Sequence, residues 1–190
     1  MRLFVALDVP EEVREALGKM IARLKQSVPK FRGARWVRPE GMHVTLKFIG
    51  HVEEARLGAI REALASVKWQ DAIEMRFRGA RFFPSERRPR VLAVDVETSP
   101  SAGKLAVEIE RALVPLGVPA EGRDFVPHLT LARIKSDEGA QALVRASAEM
   151  AAQDFGVARA TEFHLYQSLL HPTGAEYRRL ETYPFEKAAT

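Results

Sequence analysis

The sequence contains no cysteine. This excludes a disulfide framework and a thiolate metal site, and it fits a reducing compartment. No apolar stretch approaches the roughly 20 residues of a membrane span. The opening run Met1-Arg2-Leu3-Phe4-Val5-Ala6-Leu7-Asp8 is too short, and meets an acid too early, to be a signal peptide. The expected location is therefore the cytoplasm. Several chemical signatures are also missing. Neither Gly-x-x-x-x-Gly-Lys-Ser/Thr nor Gly-x-Gly-x-x-Gly occurs, so the usual phosphate loops of nucleotide-binding folds are absent. Without Gly-x-Ser-x-Gly a serine esterase is poorly supported. Without His-Glu-x-x-His or cysteine, a zinc site is short of ligands. Charge of one sign is only slightly in excess: 29 Lys and Arg against 25 Asp and Glu give +4. That permits a polyanionic partner without demanding one.

What the sequence does contain is one phrase written twice: His43-Val44-Thr45-Leu46 and His128-Leu129-Thr130-Leu131. Each lies in an apolar run, Met42 to Ile49 and Phe125 to Ile134. Read as strands, alternate side chains share a face. His43, Thr45 and Lys47 then point one way, and Val44, Leu46 and Phe48 point into a core. His128 and Thr130 repeat the arrangement, with Leu129 and Leu131 inward. A second echo, Ala6-Leu7-Asp8-Val9 and Ala93-Val94-Asp95-Val96, keeps nearly the same offset. The two echoes indicate an internal duplication, with halves of roughly 1–84 and 90–185 in one bilobal domain spanning 1–190.

Periodicity supplies the remaining elements. Strands are expected over Leu3 to Val9, Arg35 to Val37, both His-x-Thr runs, Ile73 to Phe77, Val91 to Val96, Glu162 to Leu170 and Glu176 to Tyr183. Helices are expected from Glu11 to about Val28, from Glu53 to Val67, from Ser101 through Leu116, and from Ser136 to about Gln153. Gly79 reads as a bulge, and His171-Pro172-Thr173-Gly174 as a turn. Each half reads strand, helix, His-x-Thr strand, helix, strand. The expected fold class is α+β: two pseudo-symmetric lobes, each an antiparallel-rich sheet with helices outside, and an active cleft between the sheets.

Two histidines, each followed at two residues by a hydroxyl, suit acid–base chemistry better than metal binding. Imidazole titrates near pH 6.5, so one ring can accept a proton while the other donates one. Phosphodiester cleavage needs both transfers, together with fixed donors for the non-bridging oxygens. Thr45 and Thr130 offer those donors. One histidine on a strand is more often structural than catalytic; the duplicated setting reverses that for His43 and His128. His51, His164 and His171 lack the threonine and read as structural or surface groups. Trp36, Phe4 and Phe48 can stack a base, although packing is the commoner role of such residues, and Tyr166 and Tyr177 stand equally between the two. Lys47 reads either as a phosphate contact or as a solvated rim lysine. The clusters Arg32, Arg35, Arg38 and Arg87, Arg88, Arg90 read as solvated surface or as phosphate contacts to RNA.

The paired phrases resemble the 2H phosphoesterase superfamily. Arg35-Trp36-Val37-Arg38-Pro39-Glu40-Gly41-Met42-His43-Val44-Thr45-Leu46-Lys47-Phe48-Ile49-Gly50 is similar to the first motif of the RNA 2′,3′-cyclic phosphodiesterases, also called 2′-5′ RNA ligases or LigT-like proteins. Phe125-Val126-Pro127-His128-Leu129-Thr130-Leu131-Ala132-Arg133 is similar to their second. Leu3 to Leu7, Phe82-Phe83-Pro84, Gln167 to Leu170 and Gly174 to Tyr177 also look like that family, so the resemblance spans essentially the whole chain.

The resemblance implies metal-independent hydrolysis of an RNA 2′,3′-cyclic phosphate to a 2′-phosphate, with a 2′-5′ ligase activity attached to the name. It implies His43 as proton donor to the leaving 3′ oxygen and His128 as acceptor from water. It adds Arg133, which strict alternation would place on the opposite face from His128 unless a bulge turns it. No cofactor is implied, and a monomer is expected. Two alternatives stand beside this reading: a 2H enzyme acting on a small cyclic nucleotide or a 2′-5′ oligonucleotide, and an RNA-end binding protein without turnover.

Overall fold

The computed structural model describes residues 1–171 and 174–186. In chain order the elements are β1 (Arg2–Asp8), α1 (Glu11–Ser27), β2 (Ala34–Trp36), β3 (His43–His51), α2 (Leu57–Ala65), β4 (Ile73–Phe83), β5 (Val91–Thr98), α3 (Ser101–Leu113), β6 (His128–Ile134), α4 (Ala140–Ala146), β7 (Asp154–Ala160), β8 (Glu162–His171) and β9 (Gly174–Pro184). The turn expected at Pro172 and Thr173 lies outside the described residues. Two antiparallel sheets form, ordered β3-β1-β8-β9 and β2-β6-β5-β4-β7. This is the expected α+β class.

Local chemistry explains most boundaries. Pro10 precedes α1, whose first turn carries Glu11 and Glu12 where the helix dipole favours acid. Val13, Leu17, Met20, Ile21 and Leu24 make its buried stripe. Pro115 lacks an N–H, and α3 accordingly gives way to a 3₁₀ turn over Val114–Leu116. Gly79, at φ +70°, sits where the β4–β5 register shifts, as a bulge should. Beyond that bulge β4 continues to Phe83, whereas the sequence suggested that it stops near Phe77.

Strand β7 was not expected. The sequence suggested helix as far as Gln153, but α4 is short and β7 pairs with β4 at the sheet edge. Its Gly156 takes φ +120°, and a Cβ there would meet Val13 of α1 at 3.1 Å. The glycine that lets the helix approach also removes the apolar residue that would have revealed the strand.

The sheets do not correspond to the two halves of the sequence. β4 leaves the first half to pair with β5, while β8 and β9 return to pair beside β1. The helices are exchanged as well: α1 packs on β7 and α4, and α3 packs on β3 and α2. Each sheet is thus completed by the other half of the chain, over one continuous apolar core. The exchange puts β3 and β6, which carry the two histidines, in contact while they belong to different sheets.

Candidate active site

His43 and His128 open their strands in the same manner. Each Nδ1 donates to the carbonyl two residues upstream, Gly41 for His43 and Val126 for His128, both at 2.8 Å. A carbonyl only accepts, so in the neutral ring the proton sits on Nδ1 and Nε2 carries the lone pair. Each ring also lies against a phenylalanine: Phe4 at 4.6 Å from His43 and Phe83 at 4.7 Å from His128. Thr45 and Thr130 follow on the same face, half-buried.

Both strands then break step at the same point. Ala6 pairs with Thr45 and Val5 with Lys47, leaving Leu46 as an extra residue. Ala93 pairs with Thr130 and Leu92 with Ala132, leaving Leu131 extra. These bulges reverse the alternation that the sequence suggests. In β6 the reversal brings exposed Arg133 onto the face of His128 and Thr130. In β3 it corrects two expectations. Lys47 does not share the His43 face: it is 2% exposed, and its Nζ donates to Glu110 Oε2 of α3 at 2.6 Å and to the Pro119 carbonyl at 2.7 Å. Phe48, expected in the core, is 48% exposed and lies 6.3 Å from Phe4 on the histidine side. Phe48 and Arg133 therefore hold equivalent places, five residues after each histidine.

Trp36 is displaced from the histidines in another way. Arg35 is registered against Arg133, whereas Trp36 is registered against the buried Ala132. Residues facing across an antiparallel pair share a side, so Arg35 joins the histidine face and Trp36 the helix face. The Lys25 ammonium of α1 stands 5.7 Å above the Trp36 ring.

The second sequence echo also has a structural meaning. Asp8 is the cross-strand partner of His43, and Asp95 that of His128. Each aspartate is paired with an arginine, Asp8 with Arg179 and Asp95 with Arg81 at 2.5 Å, and each arginine lies over an aromatic ring, Tyr166 or Phe83. The Tyr166 hydroxyl donates to Asp8 Oδ1 at 2.5 Å. Burial, and then this bond, push the Tyr166 phenol up to about 12, so it remains a donor. Beneath it, His164 is buried, with Nδ1 against the Thr182 hydroxyl at 3.0 Å and Nε2 3.5 Å from Asp8 Oδ2. Burial holds His164 below the ordinary imidazole range, as suits a structural group. The sequence placed Asp8 and Asp95 in an echo without a role. Arg179 and Arg81 carried no signal, because they reach the aspartates from strands whose pairing is set by the fold.

The two histidines differ in their surroundings. His43 lies among Phe4, Tyr166 and Tyr177, with Tyr177 edge-on at 5.0 Å. Loss of water lowers its pKa to about 4. The Gly41 carbonyl and Asp8 oppose that shift, while the positive charge of Arg133 and the His128 ring add to it. Arg133 and His128, which belong to the other sheet, thus act on His43 electrostatically. Among the described residues no three His, Asp or Glu side chains gather as metal ligands, and no helix is long and apolar enough to cross a membrane.

A family model described as LigT-like phosphoesterase matches the chain twice, over residues 7–93 and 94–177. The chain belongs to the LigT-like phosphoesterase family. Each matched stretch contains one His-x-Thr strand. A curated relative from Archaeoglobus fulgidus, named RNA 2′,3′-cyclic phosphodiesterase, is 34% identical over 96% of this chain and 99% of its own. One from Thermotoga maritima with the same name is 33% identical over 98% and 96%. A Thermus thermophilus protein of known structure superposes with a TM-score of 0.80 at 29% identity, covering both chains completely. Escherichia coli LigT, solved with 3′-AMP, shares the fold with a TM-score of 0.75 at 23% identity over 98% of each chain.

Proposed function

We propose that this LigT-like protein hydrolyses RNA 2′,3′-cyclic phosphate ends to 2′-phosphates by two-histidine acid–base catalysis. The observation that carries the reading is the matched pair of half-sites. Two rings, both fixed through Nδ1, are offered from different sheets, and the charge of Arg133 on one strand is felt by His43 on the other. The names of the curated relatives point to the same reaction.

In the proposed reaction, water attacks phosphorus opposite the 3′ oxygen, and neutral His128 takes its proton at Nε2. The P–O3′ bond breaks, and His43, protonated at Nε2, delivers a proton to the departing oxygen. Water is consumed, one proton moves from His43 to the sugar and one from water to His128, and solvent restores both rings. Arg133, Thr45 and Thr130 supply fixed donors to the non-bridging oxygens as charge builds there. His43 is neutral in the empty cleft, so its proton must arrive with the substrate, whose phosphate charge opposes the desolvation. A proton held that weakly passes readily to an alkoxide. The same neutrality favours one competing assignment, with His43 as base and His128 as acid.

Phe48 offers an exposed ring for a terminal base. Attack by a 5′ hydroxyl of a second RNA in place of water, on the same cyclic phosphate, would give the 2′-5′ ligase activity. The two imidazoles, Arg133 and the threonines cover every proton and charge in this scheme, which assigns no task to a metal. We place the enzyme in the cytoplasm as a monomer. The test is an oligoribonucleotide with a 2′,3′-cyclic end, with the product identified and the assay repeated under exhaustive chelation. A 2′-phosphate product formed at an unchanged rate supports the reading. A 3′-phosphate, or rescue by added zinc or manganese after chelation, contradicts it.

A further inference from the structure

Behind the edge strand β2, between it and α1, runs an open groove of about 600 Å³. Lys25, Arg32, Arg35, Arg38 and Lys135 line it together with Trp36, and no carboxylate does. Among the described residues none of these five cations has an acid within ion-pair distance. Arg76, Arg81, Arg90 and Arg179 each do; what sets the groove apart is that five unpaired cations line one concavity. Like charges around one concavity repel, and among the described residues no acid pairs with them there. Trp36 contributes an aromatic surface, with the Lys25 ammonium above it.

We propose that this groove binds the RNA strand that trails from the cyclic end, as a second subsite for two or three nucleotides. The proposal rests on the reading of the cleft as an RNA-end phosphodiesterase and extends it to the length of the substrate. Unpaired cations along a groove with an aromatic platform are what a flexible single strand requires: phosphates meet the charges and a base stacks on the ring. An acidic peptide would use the charges but not the ring. The groove is joined to the cleft by β2 itself. Arg35 lines the groove and is registered directly opposite Arg133. On the other side, Arg38 and Pro39 lead into the turn whose Gly41 carbonyl holds His43. A strand leaving the histidines thus meets Arg133, Arg35 and Arg38 in succession around the sheet edge, none of them ion-paired among the described residues.

The experiment is a ladder of 2′,3′-cyclic-phosphate oligoribonucleotides, from a cyclic mononucleotide to about eight nucleotides, assayed with the wild type and with Lys25→Ala/Arg32→Ala/Lys135→Ala. These three side chains are exposed and lie outside the cleft. In the wild type, KM should fall about tenfold or more along the ladder. For the longest substrate, log KM should rise with log salt at a slope of about 1.4 to 2.1, from about 0.7 per phosphate contacted. The triple variant should lose most of the fall and flatten the slope, with the cyclic mononucleotide unaffected within about twofold. Lys25→Gln/Lys135→Gln gives the same comparison in smaller measure should the triple variant fold poorly. Hydrolysis with a KM independent of length, or a length dependence that survives in both variants, overturns the groove and leaves the cleft reading intact. Failure to hydrolyse any cyclic end overturns the cleft reading itself.

Discussion

His43, Thr45 and Asp8 on one sheet correspond to His128, Thr130 and Asp95 on the other, and both strands bulge at the leucine of the repeated phrase. Five residues after the histidine, however, one strand presents Phe48 and the other Arg133. One ring is enclosed by Phe4, Tyr166 and Tyr177, and the other has Phe83 on one side. The comparison separates two kinds of constraint. What is duplicated sets geometry: the Nδ1 anchor, the bulge and the cross-strand aspartate held by an arginine. What differs sets role: a cation five residues along the strand of one histidine, and an aromatic, desolvated setting around the other.

The sharpest way to break this comparison is to remove the shared element. His43→Ala and His128→Ala are each expected to lower kcat about 10²–10⁴-fold, and under the proposed mechanism, in which the rings act in one step, the double variant should lose less than the product of the two. Steady-state rates on the cyclic-ended oligonucleotide measure both. Arg133→Ala should cost about 10²–10³-fold in kcat, as the loss of a fixed charge at the phosphoryl oxygens. Its counterpart Phe48→Ala should leave kcat nearly unchanged and raise KM about tenfold, as the loss of a stacking surface. Equal effects on kcat at these two positions would show that the strands are not differentiated as described. Thr45→Val and Thr130→Val, which keep shape and delete a donor, should each lower kcat about 10–100-fold.

The smallest effect on catalysis is expected at Lys47. It joins β3 to α3 and to the loop before β6, and Glu110 is held below the usual carboxylate range chiefly by its hydrogen bond to Lys47. Glu110→Gln leaves Lys47 buried with only Glu121, at 3.5 Å, as a counter-charge. Denaturant unfolding should show a loss of about 2–3 kcal/mol, since one partner of a largely buried pair has gone, with kcat of the folded protein unchanged. A large fall in kcat without loss of stability would return Lys47 to the phosphate.

Lys47 also shows where the sequence misleads. Read as strict alternation, His-Val-Thr-Leu-Lys-Phe places Lys47 with His43 and Phe48 in the core. Nothing in the local chemistry marks Leu46 as the residue that drops out of register, because a bulge is fixed by the partner strand. The second copy held a clue, since Arg133 reaches the histidine face only if Leu131 bulges. Applied to the first copy, the same requirement turns Phe48 outward and Lys47 inward. The α+β class and the two histidines were legible because periodicity and repetition are local properties of the chain. The exchange of β4, β8 and β9 between the halves was not, since it depends on which edges remain unpaired after folding. Arg179 and Arg81 fall in the same class, as surface arginines until the sheets assemble.

The central claim is that the two half-sites transfer protons in opposite directions, and the pH dependence of the single variants tests it most directly. With His43 replaced, the remaining rate should depend on neutral His128 as base and rise with pH to a plateau. With His128 replaced, it should depend on protonated His43. The rate should then fall as pH rises through the pKa of that ring, which is about 4 in the empty cleft and higher with a phosphate bound. Rates of cyclic-phosphate hydrolysis by His43→Ala and His128→Ala across the acid and neutral range should therefore run with opposite slopes. Both slopes inverted would exchange the acid and the base, and near wild-type turnover in either folded variant would contradict the two-histidine account altogether.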